Sequence, residues 1–205
     1  MSANDSSLLP VRFFRLFLDT LVVEIGHDAL VLILEKVDLP GDLANPQAVS
    51  RYTSQSAAET YARIQKGVRM VYGRGARGTL VRVGRVLWAR LLETASISEK
   101  TTAQFIRTLP SAMRRKAALE LLARFMRERP TDITVHTRDL DLRLLDHATA
   151  KVLEQTESCP VCYVTLGLIQ ENLFWATTRD YDIEEISCRV TGGNDCEFKI
   201  IVEGE

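Results

Sequence analysis

Residues 159–200 read CPVCYVTLGLIQENLFWATTRDYDIEEISCRVTGGNDCEFKI, and the fold is decided here. All four cysteines of the chain, Cys159, Cys162, Cys188 and Cys196, fall inside this window. Cys159-Pro-Val-Cys162 has the spacing that turns two thiolates toward one ion. Cys188 and Cys196 flank the turn Gly192-Gly193-Asn194-Asp195, which folds them side by side. Thiolates on such knuckles suit zinc, which takes four S, N or carboxylate O ligands in a tetrahedron. The rival readings are a disulfide, a thioredoxin-type redox pair and simple buried thiols. A disulfide needs an oxidising compartment, and the chain opens without a signal-peptide pattern. A redox pair needs the first strand of a βαβ unit in front of it.

Working outward, the window contains a helix from 160 to 176 entered through Pro160, then strands over 181–190 and 197–202. Strict strand alternation puts Glu184, not Glu185, on the face of Cys188. A bulge or strand end near Ile186 and Ser187 reverses that choice. Upstream, Asp132 to Thr137 and Asp139 to Asp146 alternate through Ile133, Val135, Leu140, Leu142 and Leu144, as paired strands do. Before them the period is helical. Val11–Ile25 carries Phe13, Phe14, Phe17, Leu18, Leu21 and Val22 on one broad face. Further helices are expected over 29–37, 57–72 behind a Ser56-x-x-Glu59 capping box, 79–93, 98–108 and 111–129, with Gly26, Gly73 and Pro130 as stops. The fold class is therefore α+β: helices packed on a four-stranded antiparallel sheet, with a ββαββ C-terminal half. The expected organisation is a disordered terminus over 1–10 and one domain over 11–205, helical to 130 and carrying sheet and metal site from 131.

The pattern Cys162-x4-Gly167, Glu185-x-x-Cys188, a small-residue turn and Cys196-x-Phe198 resembles the 4-vinyl reductase domain family. The motif match covers about residues 159–202, and upstream only the order of elements agrees. That family is related in fold to the TRAPP tethering subunits and, more distantly, to haem nitric-oxide sensors. The resemblance implies a structural zinc held by Cys162, Glu185, Cys188 and Cys196, with Cys159 as an alternative ligand. It also implies a hydrophobic or aromatic small molecule enclosed between helices and sheet. Residues of suitable type on suitable elements are Trp88, Phe105, Met113, Phe125, Tyr163 and Trp175. The corresponding function is a ligand sensor or carrier. Alternatives from the same resemblance are a tetrapyrrole-binding accessory of bacteriochlorophyll biosynthesis and a TRAPP-like scaffold without ligand.

Composition bounds the remaining classes. A 205-residue chain with 46% hydrophobic content can bury one substantial core. Twenty-six basic against 27 acidic residues leave a net charge of −1, which argues against general nucleic-acid binding. No apolar run is long enough for a membrane span, and a cytoplasmic location is expected. The width of the first helix's apolar face points to a homodimer formed through it. Between Arg63 and Arg90 eight basic residues occur without an acidic one, and the acidic run Asp180 to Glu185 is their expected partner.

Enzymatic motifs are missing. Gly73-x-Gly75-x-x-Gly78 spells a dinucleotide fingerprint, but a helix, not a strand, leads into it, so it reads as a tight turn. His27, His136 and His147 sit in no catalytic or metal-binding pattern, and no flavin or nicotinamide site supports a reductase.

Overall fold

The computed structural model describes residues 8–138, 141–147 and 156–202. Seven α-helices occur among them: α1 Val11–Ile25, α2 His27–Lys36, α3 Ser54–Tyr72, α4 Ala76–Glu93, α5 Ile97–Thr108, α6 Ser111–Met126 and α7 Tyr163–Thr177. The strands are β1 Ile133–Arg138, β2 Asp141–Asp146, β3 Ile183–Ser187 and β4 Cys196–Ile200. They form one antiparallel sheet in the order β1-β2-β4-β3, with α7 inserted between its two hairpins. The α+β class and the ββαββ half are as expected.

Element ends follow local chemistry. Gly26 at φ 85° closes α1 in a conformation other residues reach only under strain. At α3 the capping box is Thr53 with Ser56, whose hydroxyls bond reciprocally to each other's backbone N–H, so the helix starts three residues earlier than a box on Ser56 and Glu59 predicts. Gly73–Gly75 is a short 3₁₀ turn between α3 and α4, with no strand before it. The expected disorder of residues 1–7 lies outside the described residues. Residues 8–10 are held: Leu9 is buried and its N–H donates to Ser54 O at 3.0 Å.

The broad apolar face of α1, expected to serve a second subunit, is used inside the chain. Phe13, Phe14, Phe17, Leu18 and Leu21 are all fully buried, with Phe17 edge-on to Tyr61 of α3 at 4.7 Å and Phe14 tilted against Tyr52 at 5.6 Å. The Arg63–Arg90 cations do not pair with Asp180–Glu185 in any described contact. Arg82 bonds Glu24, Arg85 bonds Glu171, and Arg69 bonds Glu157.

Helices α4 and α7 touch backbone to backbone. A Cβ added at Gly84 would sit 2.1 Å from Val164 O, and one added at Gly167 would sit 2.0 Å from Val81 O. Two glycines facing each other allow this approach, which brings Trp88 of α4 onto Trp175 of α7 at 5.4 Å. No described helix is long and apolar enough to cross a membrane.

Candidate metal centre

The metal corner is assembled from three elements. Cys162 is the N-cap of α7, which begins at Tyr163 and not at Pro160, and its N–H is held by Glu185 of β3. Cys188 leaves β3 and Cys196 opens β4, across the turn in which Gly192 has φ 93°. At Gly193 an added Cβ would strike Ser187 Oγ at 2.3 Å and Cys188 O at 2.9 Å, so this turn folds tightly only without a side chain there. Between Glu185 and Ser187 the β3–β4 register shifts. The irregularity turns Glu185 to the side of Cys188, against strict alternation.

The Sγ atoms of Cys162 and Cys196 are 3.5 Å apart, and Cys188 Sγ lies 3.7 Å from each of them. A tetrahedron with Zn–S bonds of about 2.3 Å has S···S edges of about 3.8 Å, whereas a disulfide needs about 2.0 Å. The spacing is close to that of three ligands of one tetrahedral ion and too long for a disulfide. With Glu185 the four ligand atoms all lie within 4.8 Å of one another, and this set could hold a metal ion. Glu185 Oε2 accepts from the Cys162 N–H at 3.0 Å, while Oε1 is buried with no hydrogen-bond partner. A buried carboxylate oxygen left without a partner is costly unless a cation meets it.

Electrostatics agree. Burial raises the Glu185 carboxyl above its usual range, although bonds from Cys162 pull the other way. Cys188 is pushed up to about 12: the Cys162 thiol lowers it, but Cys196, burial and Glu185 outweigh that. Both shifts favour the protonated forms of Glu185 and Cys188, with which a cation would compete. Cys159 is exposed and stands outside this group of four.

The expected ligand-pocket residues do not converge. Trp88, Phe125 and Trp175 form one edge-to-face stack, with Trp88 to Phe125 at 5.9 Å. Phe105 and Met113 are 62% and 59% exposed on α5 and α6. Tyr163 lies half-buried at the start of α7 beside Cys159. Of the six, only Met113 lines a described cleft. That cleft has a volume of about 460 Å³ and runs between α6 and the sheet, with Leu109, Ala112, Ala117, Leu142 and Val202 as apolar walls and Arg115, Lys116 and Glu120 as its charged residues. Sequence reasoning missed it, since α6 shows its cations and its apolar residues without saying which of them the sheet leaves uncovered.

No family model matches the chain, and neither does any curated protein. Solved structures do. An H-NOX (haem–nitric oxide/oxygen binding) protein from Shewanella oneidensis, described in its Fe(II)NO ligation state, aligns over 95% of this chain and 99% of its own, with a TM-score of 0.56 and 14% identity. An unliganded Fe(II) H-NOX protein from K. algicida aligns over 95% and 97%, with a TM-score of 0.51 and 14% identity. At such identity the likeness defines the fold, which is H-NOX-like. It corrects the resemblance to the 4-vinyl reductase family, which rested on a short cysteine pattern and on element order that the H-NOX-like fold also supplies.

The fold neighbours are haem proteins, and haem takes an axial His, Cys, Met or Tyr. The histidines and the clustered cysteines here do not fit that group. His27 is exposed at the start of α2 against Asp28. His136 and His147 lie at the sheet, both bonded to the Thr134 hydroxyl, and His147 Nδ1 meets Asp195 at 3.1 Å. Three of the cysteines face one another, and the helical interior at Trp88 is filled by indole and phenyl rings.

Proposed function

We propose that the chain is a sensor or carrier module for a small hydrophobic anion, with a zinc ion as structural staple. The ligand is a molecule other than haem, of the size and type of an aromatic carboxylate. The cleft between α6 and the sheet carries this reading. Its volume of about 460 Å³ lies in the range of small-molecule sites, and its apolar walls are edged by two cations, Arg115 and Lys116, against one carboxylate, Glu120. The H-NOX-like scaffold supports it, because the neighbour from Shewanella oneidensis is described in an Fe(II)NO ligation state on the same architecture.

Zinc at Cys162, Glu185, Cys188 and Cys196 would have four protein ligands and no open position for water, so it fixes the start of α7 to the β3–β4 hairpin and does no chemistry. The chain's own residues supply only positioning.

Two measurements test the proposal. Elemental analysis of purified protein should give one zinc per chain, and Cys188→Ser with Cys196→Ser should lose it. Titration with benzoate and naphthoate should show saturable binding that Lys116→Glu weakens at least tenfold, while a neutral aromatic alcohol binds more weakly. Absence of binding by every anion, or stoichiometric haem in the purified protein, refutes the reading.

A further inference from the structure

We infer that the free edge of β1 is a docking site for an extended, acidic segment of a partner protein, which adds to the sheet as a fifth strand. The register shows which backbone groups are available. His147 N donates to Asp132 O at 2.8 Å, and Ile133 stands opposite Asp146. In an antiparallel ladder, bonded and non-bonded pairs alternate. The bonded pairs are thus Asp132 with His147, Thr134 with Leu145, His136 with Arg143 and Arg138 with Asp141. The N–H and C=O of Ile133, Val135 and Thr137 must then point away from β2. Because β1 ends the sheet, they point outward, and no described strand pairs with them.

One of these groups is visibly recruited: Ile133 O accepts from Arg127 Nη1 at 3.2 Å. That bond confirms the direction of the edge and leaves Val135 and Thr137 open. A trench of about 340 Å³ runs along it, with Ile133 to His136 on one wall and Glu120, Ala123, Arg124 and Arg127 of α6 on the other. Two cations against one carboxylate make the trench positive. Arg127 is tied to Pro130 O and Ile133 O, whereas Arg124 is exposed and has no ion pair among the described residues. An open strand edge normally invites pairing and is blunted by proline, a charge pointing inward or a cover. Among the described residues the edge carries no proline between Ile133 and Thr137, and beyond the Arg127 bond to Ile133 O none of them bonds its outward backbone groups. Its charge selects for acidic side chains, since main-chain bonds provide adhesion and flanking side chains provide choice of partner.

The test uses the whole zinc-loaded chain and two acetylated, amidated pentapeptides, Val-Glu-Val-Glu-Val and Val-Lys-Val-Lys-Val. Hydrogen exchange at the Val135 and Thr137 amides should slow at least tenfold with the glutamate peptide and stay unchanged with the lysine peptide. Arg124→Glu should lower affinity for the glutamate peptide about tenfold. Val135→Pro should do the same, because it removes an N–H that the β1–β2 ladder does not use. Unchanged circular dichroism shows that both variants fold. Unchanged amide exchange at saturating glutamate peptide overturns the inference, as does equal protection by both peptides. So does a protein that elutes as a dimer with these amides already protected, since a second copy would then hold the edge.

Discussion

Replacing Gly167 by alanine puts a methyl group where no atom fits. The new Cβ would lie 2.0 Å from Val81 O, 2.9 Å from Val81 C and 3.1 Å from Arg85 N. Ordinary carbon–oxygen contact needs about 3.4 Å, so α4 and α7 must separate locally by more than 1 Å. Every obstructing atom belongs to backbone, so no rotamer change relieves the clash. Overpacking costs about 1–3 kcal/mol and occasionally more, and a backbone obstacle belongs at the upper end, at about 3 kcal/mol. For a chain of this size each kcal/mol moves the melting temperature by roughly 2–4 °C, which gives a fall of roughly 6–12 °C. The movement would also open the contact of Trp88 with Trp175, so near-ultraviolet circular dichroism should change in the same variant. Gly78→Ala on α4 is the control: nothing lies within 4 Å of its added Cβ, and a helical glycine replaced by alanine gains about 0.5–1 kcal/mol. The double variant Gly84→Ala with Gly167→Ala should cost less than the sum of the two, because helices already parted for one methyl admit the second more cheaply. A Gly167→Ala protein melting within 2 °C of the parent would refute the close packing of α4 on α7.

A zinc ion at the Cys162, Glu185, Cys188 and Cys196 cluster would give the loaded and metal-free proteins opposite pH responses. Glu185 and Cys188 are both raised in the metal-free fold, so the stabilisation they contribute is present below their unfolded values and is lost as pH rises: from about 4.5 upward for Glu185, and between 9 and about 12 for Cys188. Zinc-loaded protein needs these groups deprotonated, and its stability should rise with pH from about 5 to 8. Melting curves with zinc and with chelator should therefore diverge, and parallel curves would argue against a metal at this cluster. At the start of the sheet, Asp132 is buried and accepts from Arg129 N at 2.8 Å and Arg129 Nε at 3.0 Å. Asp132→Ala should cost about 1–3 kcal/mol, with Asp132→Asn recovering part of it, as read by urea unfolding. Equal stability of all three proteins would show that these bonds do not anchor β1.

What the sequence discloses depends on whether a feature is local. The bounds of α1 are legible because Pro10 and Gly26 punctuate it directly. The hairpin that pairs Cys188 with Cys196 is legible because its turn is written as two glycines followed by Asn and Asp. Where several local solutions compete, the reading shifts by a few residues. Thr53, not Ser56, caps α3, and Cys162, not Pro160, opens α7, because the cap is the residue whose side chain or backbone is already occupied outside the helix. Features made by distant segments carry no such trace. The partners of Arg69, Arg82 and Arg85 lie 88, 58 and 86 residues away, and no run of acidic residues announces them.

The sites divide along the same line. In the candidate metal cluster the cysteines stand out by their crowding into one window, whereas Glu185 was preferred to Glu184 only through the family resemblance, and it is the register shift between Glu185 and Ser187 that brings it into the group. The ligand pocket could not be named, because an aromatic residue on a helix looks the same whether it stacks, as Trp88 does, or faces solvent, as Phe105 does. The family resemblance failed for a related reason. A cysteine pattern around a hairpin describes how a corner is stapled, and the same corner serves any fold in which a helix is inserted between two antiparallel hairpins. Haem is judged by a different criterion, the direction of one donor atom toward a cavity, and neither cysteine spacing nor element order contains that information. His147 turns its ring between Asp195 and Thr134 on the sheet, so both of its nitrogens already have protein partners.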